Sequence, residues 1–364
     1  MKFLFGLFRY GSVMQTIRLV IVGMAFVLPA ITLAQAQKEK PAVTFEELYD
    51  EPFSINKLFV GFQPLYGELF ATNVNAGFGI EAMYYHKDKF DVKASFRKTY
   101  SSEFFDFNRN ASLLKQNTGL PATFISDKPA TFSYYEIGGT YHIKDFDQES
   151  KTKMVLYRKS YKGDRWAATV PLHAEVPCKV RKIYGARLGG IFWNSTADLT
   201  RALAKQGLTN ANLKTTSGTP LPATYPDQGL NKQLYVYGNM SSAAVYVGGS
   251  MSWIRNVAVS FDKYDDGVDD GMMTVFFDVM VAPATHLDPV TYMGNQYSTK
   301  AINTNMLGMR AGIEGKFNRT LGWSYGGELG YRPSIKGQGF YAMFKIAFPL
   351  YSTNLDYKVE SFGK

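Results

Sequence analysis

Residues 321–332 read Leu321-Gly322-Trp323-Ser324-Tyr325-Gly326-Gly327-Glu328-Leu329-Gly330-Tyr331-Arg332. Leu321, Trp323, Tyr325, Gly327, Leu329 and Tyr331 fall on one parity. Gly322, Ser324, Gly326, Glu328, Gly330 and Arg332 fall on the other. Successive side chains of a strand point to opposite faces, so this is a strand with one aromatic face and one small, polar and charged face. The segment before it repeats the pattern, with Leu307, Met309, Ala311, Ile313 and Phe317 opposing Arg310, Gly312, Glu314 and Lys316. Phe340, Ala342, Phe344, Ile346 and Phe348 oppose Tyr341, Met343 and Lys345. Near the start, Val74, Ala76, Phe78, Ile80, Ala82 and Tyr84 oppose Asn75, Gly77, Gly79, Glu81 and Tyr85. Phe90, Val92, Ala94 and Phe96 then oppose Asp91, Lys93, Ser95 and Arg97.

A soluble sandwich alternates too, so length and aromatic placement must separate the readings. The segments run about 10–14 residues, whereas soluble strands are usually 5–6. Tilted strands of roughly 9–11 residues are what a bilayer requires. Tyr66, Tyr84, Trp166, Phe192, Trp253, Tyr331 and Tyr351 lie near segment ends, where interfacial girdles form. No later stretch reaches 18 consecutive apolar residues. A spanning chain without apolar helices must close its strands into a barrel, because lipid satisfies no backbone group.

The first 36 residues read as an export signal. Lys2, Arg9 and Arg18 make a positive start, Leu19–Leu33 is apolar, and Ala34-Gln35-Ala36 resembles a cleavage site. The apolar run is shorter than the roughly 20 residues of a spanning helix and contains Pro29. Setting aside those three cations takes 40 Lys+Arg to 37 and the net charge from +9 to +6. No basic block calls for nucleic acid. The aromatic content of 15% excludes disorder, and a single cysteine, Cys178, excludes disulfide scaffolds and thiolate zinc sites.

The expected organisation is a signal at 1–36, a periplasmic segment at 37–56, an up-and-down antiparallel barrel at 57–350 and a periplasmic tail at 351–364. The expected strands are 57–66, 73–86, 89–99, 131–143, 152–159, 165–176, 180–193, 232–240, 242–251, 253–263, 272–282, 303–318, 320–333 and 338–349. That makes 14, with 12 as the alternative. Long connections at 100–130, 194–231 and 283–302 belong outside the cell, and short turns inside. Pro171 marks a bend, Thr44–Tyr49 a capped helical turn, and Thr196–Gln206 a short helix ended by Gly207.

The candidate site is the lumen. Inward parity collects Glu81, Lys93, Arg97, Glu136, Glu175, Arg187, Asp278, Arg310, Glu314, Lys316, Glu328, Arg332 and Lys345. Mixed signs favour a salt-bridged, partly filled interior over a charge-selective constriction. Asp262–Gly271 carries five aspartates but lacks an EF-hand's ligands, with Tyr264 third and Met273 twelfth, and reads as an acidic hairpin turn. His142 and His173 read as inward wall residues near Glu136 and Glu175. There is no GxSxG, HExxH or P-loop, so neither catalysis nor a cofactor is expected. Cys178 is expected in a periplasmic turn.

With its signal, alternating strands, turn-rich loops and Tyr-Gly-Gly-Glu-Leu-Gly-Tyr-Arg at 325–332, the chain resembles bacterial outer-membrane β-barrels, and in flavour those of Bacteroidota. That group includes 14-stranded barrels related to fatty-acid transporters that serve the type IX secretion and gliding apparatus. The resemblance implies a structural or assembly barrel, or a passive conduit, in the outer membrane. Its partners would be membrane lipid and other envelope proteins. A transporter of a hydrophobic or small solute is the alternative, and an outer-membrane hydrolase a third reading. The terminal aromatic insertion signal of such barrels is absent from the chain end, because a tail follows Phe348.

Overall fold

The computed structural model describes residues 43–86, 89–100, 132–156, 172–227, 229–262, 264–318 and 322–353. The signal segment, Trp166, Pro171 and the tail beyond Thr353 lie outside them. No helix among the described residues is long and apolar enough to cross a membrane.

Ten strands close into one antiparallel barrel in which each pairs with its neighbours in sequence. They are β1 (Leu58–Phe70), β2 (Val74–His86), β3 (Phe90–Thr99), β4 (Ser133–Leu156), β5 (Leu172–Asp198), β6 (Tyr237–Ile254), β7 (Gly271–Leu287), β8 (Leu307–Phe317), β9 (Ser324–Tyr331) and β10 (Phe340–Ser352). β10 returns to β1, with Tyr341 opposite Phe70 and Ser352 opposite Phe59. The start of β1 and the end of β10 share one end, here the proximal end. The connections after β3, β5 and β7 lie at the distal end.

The expected fourteen strands become ten by merging. The described strand residues of segments 131–143 and 152–159 fall in β4, those of segments 165–176 and 180–193 fall in β5, and the three segments from 232 to 263 give one barrel strand, β6. The polar stretch Lys144–Lys151 is therefore not a turn. It continues β4 past the barrel wall, paired with β5 from Ser133↔Asn194 to Leu156↔Leu172. Outside the wall both faces of this ribbon meet water or a neighbouring layer, so the apolar alternation stops although the strand does not.

Burial within the wall is inverted relative to a soluble protein. Ile80, Tyr84, Val92, Ile137, Leu188, Val247, Phe277, Met309, Leu329 and Phe344 are exposed on the outer face. Glu81, Lys93, Arg97, Asp278, Arg310 and Lys345, on the opposite parity, are buried. A bulge at Pro64-Leu65 in β1 shifts the register between Gln63 and Tyr66, as proline in a strand often does. It turns Tyr66 inward, where it is fully buried, rather than into an outer girdle.

Residues Phe45–Asp50 form a strand rather than a helical turn, pairing with Val257–Phe261, which in turn pairs with Gly267–Asp269. Within the acidic segment Gly267–Asp269 is therefore a strand of this small sheet rather than part of a turn. The sheet lies against the buried face of the ribbon. Thr152 donates to Asp269 at 2.5 Å, and a Cβ on Gly267 would lie 2.6 Å from the Met154 sulfur. Cys178 is buried on that ribbon face, in a strand rather than a turn. At the distal end β5 runs to Asp198, which caps helix α1 (Leu199–Lys205) by accepting the Arg201 N–H at 2.9 Å. The helix thus starts three residues later than Thr196, and Gly207 with φ +70° follows its end.

Candidate functional site

Ten strands enclose little more than the eight-strand interior that side chains fill by themselves. The lumen is packed accordingly, mostly with paired charges. Arg310 of β8 is the hub. It donates through Nε to Asp278 at 2.8 Å, through Nη2 to Glu136 at 2.5 Å and through Nη1 to Tyr134 at 3.2 Å. Its Nη1 is 3.5 Å from Glu328. Glu136 is on β4, so this contact crosses the lumen rather than running along the wall. Asp278 also accepts from Arg187 Nε at 2.9 Å and so joins two guanidiniums.

Toward the proximal end, Lys93 of β3 pairs across the lumen with Glu314 of β8. Lys345 binds Glu81 at 2.5 Å and Glu314 at 3.2 Å. Gln63 and Ser324 also donate to Glu81. Lys316 has no hydrogen-bond partner, and its Nζ lies 3.9 Å from the Phe59 ring centroid. Toward the distal end, Arg332 is bidentate on Glu68 at 3.0 and 2.9 Å. Arg97 stands 4.0 Å from Glu68 and 3.9 Å from Glu328, with its guanidinium 4.0 Å over the Tyr134 ring.

The lumen thus gathers Glu81, Lys93, Arg97, Glu136, Arg187, Asp278, Arg310, Glu314, Lys316, Glu328, Arg332 and Lys345, all buried except Glu314, whose side chain is 13% exposed. Glu175 does not join them. It and His173 are exposed on the ribbon, because buried parity changes from even to odd at Val180-Arg181. Glu68 is a lumen residue that lies beyond the expected strand 57–66, because β1 runs on to Phe70 past the Pro64-Leu65 bulge. His142 is buried away from Glu136. Its Nε2 lies 3.0 Å from Asp91 and its Nδ1 3.7 Å from Asp145, which also takes a bidentate grip from Arg181. The imidazole thus has a carboxylate near each ring nitrogen, as a hydrogen-bonded wall residue does.

Both ends are covered. At the proximal end residues 51–57 form a strap across the opening. Asn256 donates to the Glu51 and Ser54 carbonyls at 2.8 and 2.9 Å, and Asn56 and Asn318 bind each other's main chain. Ile55 packs with Ile183, Ile254 and Met272 beneath it. At the distal end Leu199 and Leu203 of α1, with Leu213, Leu221, Leu234 and Ile302, form a cluster with Phe70, Trp193 and Tyr341 of the wall. A cavity of ≈ 20 Å³ lies between the ion pairs and the proximal end, lined by Lys93, Glu314, Thr140, Ser250, Ser252 and Thr274 among others. That is room for about one water.

Glycine allows the close packing of the hub. Tyr246, 4.5 Å from the Arg310 guanidinium, sits where a Cβ on Gly138 would be 2.0 Å from its hydroxyl. Among the described residues no group of three or more His, Cys, Asp or Glu side chains is placed to hold a metal. No protein-family model and no curated protein matches the chain.

Proposed function

We propose that the protein is an integral β-barrel of the bacterial outer membrane that stays closed and acts as a structural or assembly component of the envelope. The observation that carries this reading is the Arg310–Glu136 contact across the lumen within an inverted wall. In water, an outer face bearing Ile137, Leu188, Val247, Phe277 and Leu329 would be an aggregation liability. In lipid it is the expected covering, and charges belong inside.

The leader expected at 1–36 supports export. The barrel ends then fall with both termini in the periplasm and the long distal connections outside. The ribbon and the Phe45–Asp50 sheet become a periplasmic platform for another envelope protein. A passive conduit is disfavoured by the crossed ion pairs and the two covers. The ten-strand count also departs from the 14-stranded barrels that the sequence resembles in flavour, which does not favour a fatty-acid route.

Planar-bilayer recording of the purified protein tests the closed reading: no stepwise conductance is expected, and stable unitary steps would overturn it. Gel mobility with and without boiling tests the barrel, which should migrate differently in the two states.

A further inference from the structure

Register fixes what lies beside what on the outer wall from β2 to β6. Reading across, one row is Ile80, Phe96, Tyr135, Phe192 and Ala243. The next row toward the proximal end is Ala82, Ala94, Ile137, Gly190 and Val245. The small members leave a groove of ≈ 610 Å³. Phe96, Tyr135 and Phe192 line it with ring centroids 5.0 and 6.1 Å apart. Gly190 is not imposed by packing, because a Cβ there would come no nearer than 3.8 Å to the Ala244 carbonyl. The groove is open space that a larger side chain could have filled.

One row toward the distal end the wall turns polar: Lys98, Ser133, Asn194 and Ser241 are neighbours in that order. Ser133 and Asn194 bond at 2.5 Å. Lys98 is exposed and has no ion pair among the described residues. From Lys98 to Ala94, the last β3 residue that lines the groove, is four residues of strand, about 13 Å. At a tilt of about 45° this spans roughly 9 Å of depth, which fits within one leaflet of a ~30 Å hydrocarbon core.

We propose that this face is a binding site for one anionic membrane lipid, with an acyl chain in the groove and the head-group phosphate at Lys98. The inference rests on the membrane reading above. The groove stops one row short of Lys98, which has no ion pair among the described residues and stands toward the head groups. A zwitterionic lipid would offer the same chain but weaker attraction to Lys98.

The test uses the full-length protein in nanodiscs containing phosphatidylglycerol or phosphatidylcholine with the same photoreactive acyl chain. Labelling is expected to concentrate on residues 92–98 and 188–194, with phosphatidylglycerol preferred by about fivefold, the worth of one lysine at an anionic surface. Lys98→Gln should erase the head-group preference and keep the chain labelling. Ala94→Leu with Gly190→Leu should lower labelling of the groove several-fold. Both variants point outward, and heat-dependent gel mobility reports whether they fold. Labelling spread evenly around the barrel, or unchanged in both variants, would overturn the lipid site while leaving the membrane reading standing. Crosslinks to a second copy through this face would overturn it too. Failure of the wild-type protein to enter nanodiscs would instead sink the membrane reading.

Discussion

Arg310 and Glu136 face each other from β8 and β4 across the lumen and close to 2.5 Å. Two groups on strands that never pair have been brought together in a site with almost no water, and each is the other's main compensation. Asp278, Tyr134 and Glu328 complete the shell of the guanidinium.

Removing one member should leave a buried charge uncompensated, which typically costs about 3–5 kcal/mol. Glu136→Gln is expected to lower the unfolding midpoint in detergent micelles markedly, whereas Lys98→Gln on the outer wall should leave it nearly unchanged. Replacing both partners, Arg310→Met with Glu136→Met, should recover part of the loss. A midpoint unmoved by Glu136→Gln would show that the hub does not stabilise the barrel.

Closure has three parts, the strap, the crossed ion pairs and the distal cover, and the first two should separate in electrical recordings. Deleting residues 45–57 removes the strap but leaves the crossed ion pairs, so conductance should stay absent. Truncating Arg310, Asp278 and Glu136 to Ala together with that deletion should give measurable leak, unless the distal Leu199–Leu203 cover seals by itself. Conductance from the deletion alone would place the gate at the strap.

The fold was legible where a strand has one face against the lumen. Phe340–Phe348 against Tyr341, Met343 and Lys345 fixed the inner side without coordinates. The strand number was not, because alternation needs one solvated and one buried face. Lys144–Lys151 lies beyond the wall, loses that contrast and mimics a turn. In β6 the expected breaks fell at Ser241 and Ser252, which lie within the wall, paired with Asn194 and Ile183. Of the site, parity gave the face of Arg310 and Glu136, but alternation names a face and not a partner across it. Glu68 escaped because Pro64 and the bulge at Pro64-Leu65 broke the pattern and the expected strand stopped at 66, whereas β1 continues to Phe70.

Cys178 reports whether the ribbon is docked. It is 4% exposed, and burial pushes its thiol up to about 11, so little thiolate forms near neutrality. Maleimide at neutral pH should label it slowly in the folded protein and fast in denaturant. Gly267→Leu, which would drive a side chain into Met154 and Phe261, should raise the folded-state rate without unfolding the barrel on a gel. Fast labelling of the wild-type protein would mean that the sheet and ribbon separate in solution.

The Phe45–Asp50 strand should hold better in mild acid. Burial raises the Asp50 carboxyl above its ordinary value, opposed by the hydrogen bond from the Lys179 N–H and reinforced by Glu47 and Asp147. Its Oδ1 is buried without a hydrogen-bond partner. The folded form therefore holds its proton more tightly than the unfolded one. Its contribution to docking is fully present below the unfolded pKa and is lost as pH rises through the raised folded value. The group is largely solvent-screened, so the effect is local and small. Hydrogen exchange of amides 45–50, corrected for intrinsic rates, should show more protection at pH 4 than at pH 7. Asp50→Asn keeps an acceptor for Lys179 and should remove most of that difference. Equal pH dependence in the wild type and the variant would assign the effect to Glu47 or Asp147 instead.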